Sequence, residues 1–187
     1  MKDGILRIRA EKRQAEYDGK MREYSSGKMT TTSKLAQRYG RFEIRCKVPK
    51  GKGLWPAFWM LSDPPSWPPE IDILEFLGHE TDRVYFSNHW PKPNNPDDSE
   101  SVTKEQKVRG IDFSADFHTF AAEWESGEIR WSQDGVEKYR VTKDIPDVPM
   151  FLLVNLAVGG GWSGDPDKST VFPAYFEIDY VQAWKKE

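Results

Sequence analysis

The sequence has few of the residues that build disulfide scaffolds or metal centres. Its 187 residues include one cysteine, Cys46, which excludes an internal disulfide framework and a zinc site with several cysteine ligands. Its three histidines (His79, His89 and His118) are scattered and leave little for a histidine-based metal centre. We therefore expect a fold held together by a hydrophobic core, and we assign no metal ligand on these grounds.

A strong charge of one sign and a long apolar run are also missing. Lys and Arg number 27 and Asp and Glu 30, so the net charge is −3, which argues against binding to nucleic acid through its phosphates. The longest uncharged stretch, Val148 to Gly164, is interrupted by proline and glycine and falls short of the roughly 20 apolar residues that span a bilayer. The first residues, MKDGILRIRAEKRQ, carry charges where a signal peptide needs an apolar core. We expect neither a nucleic-acid partner nor a membrane partner, and no signal peptide in this chain.

Helical periodicity is missing, whereas strand periodicity recurs along the chain. No stretch of about 12 or more residues has an apolar stripe of helical period. Glycine and proline signals separate the strand-like segments as in an all-β sandwich, and the polar segment Pro91 to Val102 predicts a surface loop. We expect one domain over residues 1–187. The strand-like segments are Ile5 to Ala10, Tyr39 to Val48, Phe151 to Val158, Phe176 to Tyr180 and a hairpin over Glu128 to Arg140.

Large aromatic side chains are abundant in this polar chain. There are eight Trp, seven Tyr and ten Phe, although 30% of the residues are charged. Aromatic faces can build a core, and they can also stack on the apolar faces of sugar rings. A core role is the favoured interpretation for Trp55, Trp124, Trp131 and Trp184, although Trp55 is also kept as a candidate substrate contact. Substrate contact is favoured for Trp59 and Trp162.

The segment 70–75, EIDILE, is the most specific feature of the sequence. In a regular strand Glu70 and Asp72 share one face and Glu75 points to the other. One bulge residue, at Ile73 or Leu74, would bring Glu75 back to their face. Two glutamates at roughly 5 to 5.5 Å serve a retaining glycosidase as nucleophile and acid/base, and a third carboxylate would raise at least one pKa. An acidic strand facing solvent would give the same pattern, so the carboxylates alone leave both interpretations open.

Five segments in order resemble glycoside hydrolase family 16. They are YGRFEIR, GKGLWPAFWML, EIDILEFLGHE, FLLVNLAVGGGW and FEIDYV, and the resemblance covers roughly residues 4 to 184. It implies a jelly-roll β-sandwich of two curved antiparallel sheets with a substrate cleft on the concave face. The six-residue motif with its extra residue resembles the laminarinase branch, the endo-β-1,3-glucanases, which agrees with the bulge inferred above.

The resemblance implies a role for each residue that matches a family motif. Glu70 matches the nucleophile, Glu75 the acid/base, and Asp72 the residue that positions and tunes the nucleophile. Further matches are Glu43 and Arg45 as contacts to sugar hydroxyls, Asn155 as a cleft-facing amide, and His89 as a hydrogen-bond partner of the carboxylates. An exposed Glu/Arg pair and an amide satisfied in the core are the alternative interpretations for Glu43, Arg45 and Asn155.

Two departures from the family pattern concern the N-terminus and calcium. Family members have a further N-terminal stretch with an edge strand. The absence of that strand would leave a sheet edge unpaired here. We expect a monomer, with a swapped or paired edge as the alternative. Asp179 matches a residue that often contributes to a structural calcium site, whose other ligands would lie in the missing stretch. We therefore expect no cofactor, with calcium at Asp179 doubtful.

Together these features predict a retaining endo-β-glucanase that hydrolyses β-1,3-glucan such as laminarin, with mixed-linkage β-1,3-1,4-glucan as a further candidate substrate. The polysaccharide is the expected partner, and the resemblance implies a secreted protein. One alternative is a hydrolase of agarose or carrageenan on the same scaffold. Another is a non-catalytic β-glucan-binding module, although such modules typically lack the glutamates.

Overall fold

The computed structural model describes residues 3–92, 94–107 and 111–185, apart from the side chains of 96–98 and 104–107. All regular elements in these ranges are strands, and no helix there could cross a membrane. The strands are β1 (Leu6–Ala10), β2 (Ala15–Tyr17), β3 (Lys20–Arg22), β4 (Lys28–Thr30), β5 (Ala36–Gln37), β6 (Gly40–Lys47), β7 (Leu54–Ser62), β8 (Glu70–Glu75), β9 (Arg83–Lys92), β10 (Asn95–Lys107), β11 (His118–Glu125), β12 (Glu128–Gln133), β13 (Val136–Val141), β14 (Met150–Val158) and β15 (Ala174–Trp184).

Antiparallel pairing joins most of these strands into two sheets. The back sheet has the order β1-β15-β6-β11-β12-β13. The front sheet has the order β10-β9-β8-β7-β14-β4, and β5 also pairs with β14. Strands β2 and β3 form a separate hairpin. This architecture is the predicted all-β jelly-roll sandwich, and the strand segments predicted from periodicity lie within or overlap β1, β6, β12, β13, β14 and β15.

The core lies between the two sheets and follows from the alternation of side chains along each strand. In β6, Phe42, Ile44 and Cys46 are buried against the front sheet, while the charged residues between them face outward. In β7, Leu54, Phe58 and Met60 enter the same core. The face of each sheet that points away from this core is called the front face or the back face below.

The segment Pro91 to Val102 differs from its prediction as a surface loop. It belongs to the long hairpin of β9 and β10, in which Ser99 pairs with Pro91 and Ser101 with His89. The ladder is irregular between Asn95 and Ser99. The prediction was wrong because β10 is an edge strand, and an edge strand can pair through its backbone without an apolar face in its sequence.

The predicted bulge lies in β8, at Ile73. On β7, Phe58 pairs with Leu74 and Trp59 with Asp72, so Ile73 is the extra residue. A bulge interrupts the backbone ladder, and the carbonyl of Asp72 beside it accepts a hydrogen bond of 2.9 Å from the buried indole of Trp131 on β12. The back sheet thereby supports the irregular part of the front sheet.

Candidate active site

The bulge brings three carboxylates onto the front face. Glu70 pairs with His89 on β9, Asp72 with Ser87, and Glu75, after the bulge, with Tyr85. Because directly opposed residues of an antiparallel pair point the same way, Glu75 lies on the same face as Glu70 and Asp72. The sequence-based expectation for this strand is therefore met by its register.

Burial dominates the electrostatics of this cluster. Desolvation raises the pKa of Glu70 well above its usual range, and the charge on Asp72 raises it further. Asp72 is 2% exposed, and burial raises its pKa as well. Burial raises the pKa of Glu75 to about 8, with contributions from the charges on Asp72 and Glu70. At neutral pH such a cluster retains a proton, which a general acid requires.

Two side chains beside Glu70 favour its ionised form. His89 Nε2 lies 3.2 Å from Asp72 Oδ2 and 3.9 Å from Glu70 Oε1. Trp67 also lowers the pKa of Glu70, and its ring centroid is 6.3 Å from that of His89. Among the described residues, His89 is the one basic side chain within 4.0 Å of these carboxylates.

Strands β7 and β14 place two indoles and an amide next to the carboxylates. Trp55 Nε1 donates a hydrogen bond of 3.0 Å to Glu75 Oε1. Trp59, four residues along the same face, donates one of 2.7 Å to Asn155 Oδ1. Asn155 therefore lies on the front face and not in the core, and it is half-buried there. Both tryptophans are half-buried here, so a core role for Trp55 does not hold.

Trp162 projects over this group from the glycine-rich loop after β14. Its ring lies edge-on to Trp55, with centroids 5.0 Å apart, and edge-on to Tyr85 at 4.8 Å. The indole is 40% exposed although it has aromatic neighbours on two sides. The hydroxyl of the next residue, Ser163, donates to the Gly159 carbonyl at 2.9 Å and holds the loop in place.

Glu43 and Arg45 are not part of this site, and their prediction as substrate contacts was wrong. They lie on the back face of β6, on the other side of the sandwich. Glu43 pairs with Arg41 and accepts a hydrogen bond of 2.8 Å from the Tyr180 hydroxyl. Arg45 pairs with Asp179 at 2.6 Å. The period-2 pattern correctly predicted that the two residues share a face, but it does not specify which side of the molecule that face is on.

The same ion pair bears on Asp179, the residue considered for calcium. Its carboxylate is bound to Arg45 at 2.6 Å, and the group is about a third exposed on the back face. Among the described residues, the ligand-type atoms that lie within 4.8 Å of one another belong to Glu70, Asp72 and His89. Glycosidases use carboxylates of this kind without a metal.

Several front-face residues were missed by the sequence-based prediction. Trp67 comes three residues before Glu70, so its closeness to the motif was a usable signal. Tyr85 and Ser87 alternate with His89, and period-2 spacing from His89 could have found them. Lys28 pairs with Asn155 from the three-residue strand β4, which is too short to have a recognisable pattern.

The chain matches the family model described as glycosyl hydrolases family 16 over residues 5–182. Because this match covers nearly the whole chain, the protein belongs to that family. It is therefore a glycoside hydrolase by family, and the fold and the resemblance noted in its sequence agree with this assignment.

Similar proteins and solved structures indicate which branch of the family the chain resembles. The chain is 36% identical to a beta-glucanase of Rhodothermus marinus, over 97% of the chain and 68% of the relative. It is 38% identical to the endo-1,3-1,4-beta-glycanase ExsH of Rhizobium meliloti, over 97% of the chain but only 38% of that relative. The laminarinase catalytic domain of Thermotoga maritima superimposes with a TM-score of 0.88 at 40% identity, covering 100% of this chain and 79% of that one. The endo-beta-1,3-glucanase of Pyrococcus furiosus also has a TM-score of 0.88, at 37% identity, with 97% and 74% covered.

Proposed function

We propose that this protein is a retaining endo-β-glucanase that cleaves β-1,3-glucan of the laminarin type. The observation that carries the proposal is the bulge at Ile73, which brings Glu70 and Glu75 to one face on either side of Asp72. The relatives described as endo-1,3-beta-glucanases support the linkage. The relative described as an endo-1,3-1,4-beta-glycanase supports mixed-linkage β-1,3-1,4-glucan as a further substrate.

In the first step, neutral Glu75 gives its proton to the glycosidic oxygen, and the bond between this oxygen and the anomeric carbon breaks. Ionised Glu70 attacks the same carbon and forms a glycosyl-enzyme ester. Asp72 lies between Glu70 and His89 and orients the nucleophile, and the charge of His89 favours the ionised form of Glu70 that attacks. The raised pKa of Glu75 keeps the acid protonated near neutral pH.

In the second step, Glu75 acts as a base. It takes a proton from water, the water oxygen bonds to the anomeric carbon, and the ester bond to Glu70 breaks. This returns Glu75 to its neutral form and Glu70 to its ionised form, and the anomeric configuration is retained.

The aromatic residues supply the binding surface. Trp59 pairs with Asp72 across β7 and β8, and Trp162 packs against Trp55 and Tyr85 beside Glu75, so both rings can stack on glucose units. The amide group of Asn155 and the ring of His89 are candidate hydrogen-bond partners of sugar hydroxyls. Glucan is uncharged, which suits the front face, where no arginine or lysine of the described residues pairs with the carboxylates.

Azide rescue tests the two glutamate roles separately. The substrate is an aryl β-glycoside of laminaribiose with an activated leaving group. With it, azide should restore turnover of Glu70→Ala and yield an α-glycosyl azide, because azide replaces the missing nucleophile. The Glu75→Ala variant should yield the β-glycosyl azide, because azide attacks the intact glycosyl-enzyme. The same anomer from both variants would contradict the assignment.

A polysaccharide panel tests the substrate. Laminarin should be cleaved fastest to a series of oligosaccharides, lichenan and barley glucan more slowly, and agarose and carrageenan not at all. Faster cleavage of agarose or carrageenan would instead support the other hydrolases of this scaffold. Binding of laminarin with no cleavage would indicate a non-catalytic module.

We also propose that the chain forms one catalytic domain, acts as a monomer and works outside the cell, where a polymeric substrate is accessible. A single scattering peak at the mass of one chain and activity in the culture medium of the source organism are the expected results. A dimer would indicate a paired sheet edge.

A further inference from the structure

The acid/base glutamate of the proposed site receives a hydrogen bond from an indole. Trp55 Nε1 donates to Glu75 Oε1 at 3.0 Å, whereas Trp67 lowers the pKa of Glu70. An arginine or lysine in the same place would hold the carboxylate permanently ionised. An indole N–H carries no formal charge and donates only, so it can hold a carboxyl group in either protonation state.

The geometry around Glu75 determines which of its oxygens carries the proton. Because the Trp55 N–H points at Oε1, a proton on that oxygen would meet another donor. The proton of neutral Glu75 therefore belongs on Oε2, the oxygen that does not accept from Trp55. Two acidic groups of the same strand, Asp72 and Glu70, also raise the pKa of Glu75 through their charges.

The strands on either side of Glu75 offer no competing charged donor among the described residues. On β7 it faces Ala57, and on β9 it faces Tyr85, whose hydroxyl donates to Glu80 at 3.2 Å. His89 on β9 acts on Glu75 only through its charge. Trp55 is thus the residue that hydrogen-bonds this carboxyl group directly.

We infer that Trp55 is a positioning residue that orients the Glu75 carboxyl group and directs its proton to Oε2, towards the leaving glycosidic oxygen. Trp162 packs edge-on against the Trp55 ring, so the stacking platform and the positioning residue are in contact. This inference rests on the proposed role of Glu75 as acid/base.

The decisive measurement is the titration of the Glu75 carboxyl group by carbon-detected NMR, without substrate. In Trp55→Phe, the ring is retained but the donor is lost, so the ionised form loses a hydrogen bond and the titration midpoint should rise by roughly half a unit or more. The matched control is Trp59→Phe, which removes an indole from the same face of β7 but one that donates to Asn155. Its Glu75 midpoint should equal that of the unaltered protein.

The same variants should separate in kinetics. For Trp55→Phe we expect kcat on laminarin to fall about tenfold or more with a small change in KM, and the alkaline limb of the pH profile to move to higher pH. An unchanged Glu75 midpoint in Trp55→Phe, or an equal shift in Trp59→Phe, would overturn the inference. If laminarin is not hydrolysed but the midpoint shifts as expected, the proposed function fails and the positioning stands.

A second measurement needs no change at Trp55. In the unaltered protein, the indole N–H proton resonance of Trp55 should move with the same midpoint as the Glu75 carboxyl group. This movement should be absent in Glu75→Gln, because glutamine does not ionise. A Trp55 resonance that ignores the titration would overturn the inference even if Trp55→Phe does not fold.

Discussion

The front and back faces of the sandwich both carry carboxylates, but they hold them in opposite ways. On the back face, Glu177 pairs with Arg7 and with Lys47, each at 2.6 Å. Burial raises the pKa of Glu177, but the hydrogen bonds from Lys47 and Arg7 outweigh it, and the net pKa is lowered. On the front face, burial raises the pKa of Glu70 and Glu75, and no arginine or lysine of the described residues pairs with them.

This difference separates residues that stabilise the fold from residues that are free for chemistry. A carboxylate held by two cations is committed to them, and its lowered pKa favours the ionised form. A buried carboxylate without such partners is costly to ionise, so it can exchange a proton with a substrate. Function is therefore expected on the face where the charges are not compensated.

The largest expected effect comes from removing the same carboxylate charge on each face. Glu70→Gln should lower kcat on laminarin by about 10⁴-fold or more, because an amide is a far weaker nucleophile. Glu177→Gln, the matched control on the back face, should keep its activity. Release of reducing ends measures both, and undiminished turnover by Glu70→Gln would remove it from the nucleophile role.

A smaller effect is expected from the aromatic residues. Trp162→Ala should weaken laminarioligosaccharide binding about 10-fold to 100-fold, since a stacking ring of this size contributes on the order of 1–3 kcal/mol. Trp184→Ala is the control. Contrary to its predicted core role, Trp184 is 42% exposed at the end of β15 in the back sheet, close to the 40% of Trp162. Calorimetric titration in the Glu70→Gln background avoids hydrolysis, and equal affinities would return Trp162 to a structural role.

The pH dependence of stability should differ in sign between the faces. The native state holds the Glu75 proton more tightly than the unfolded chain between the ordinary pKa of 4.5 and about 8. The free energy of unfolding therefore falls as the pH rises through this window. Glu75→Gln should gain about 1 to 3 kcal/mol relative to the unaltered protein at pH 8 and little at pH 4.

On the back face, the lowered pKa of Glu177 predicts the reverse. Its contribution to stability is present above the ordinary pKa of 4.5 and is lost as the pH falls through the lowered value. Glu177→Gln should therefore be less stable at neutral pH and nearly equal at acid pH. Urea unfolding at both pH values tests the pair, and shifts of the same sign in both variants would contradict the comparison.

The smallest expected effect concerns calcium on the back face. The Asp179 carboxylate is bound to Arg45 at 2.6 Å, so a chelator should leave the melting temperature unchanged. A large drop that added calcium reverses would show that Asp179 serves a metal site after all.

Much of the fold could be predicted because its strands alternate clearly. Phe42, Ile44 and Cys46 alternate with charged residues in β6, and the burial of β6 follows this pattern. The hairpin β9–β10 could not be predicted in this way, since its edge strand pairs through the backbone and its polar side chains show no alternation. Local patterns thus identify strands with one buried face, the edge strand β1 included, and miss a polar edge strand such as β10.

The candidate site was likewise predicted only where it follows from local alternation along a strand. The six residues from Glu70 to Glu75 contain one residue too many for a regular alternation between the two glutamates, so the sequence by itself required a bulge for them to share a face. The position of Trp67 beside Glu70 depends on the path of the loop before β8. The error at Glu43 and Arg45 also arose because local patterns do not show the path of the chain. Strand β6 belongs to the sheet opposite to β8.

The sequence by itself determined which residues share a strand face, since side chains alternate strictly along an extended backbone. It therefore determined the strands with clear alternation, the carboxylate motif and the need for its bulge. Only the tertiary structure decided which faces become the back face and the front face. That choice depends on which strands pair and which sheet packs against which, and these long-range contacts placed Glu75 beside Trp55 and Glu43 beside Arg41.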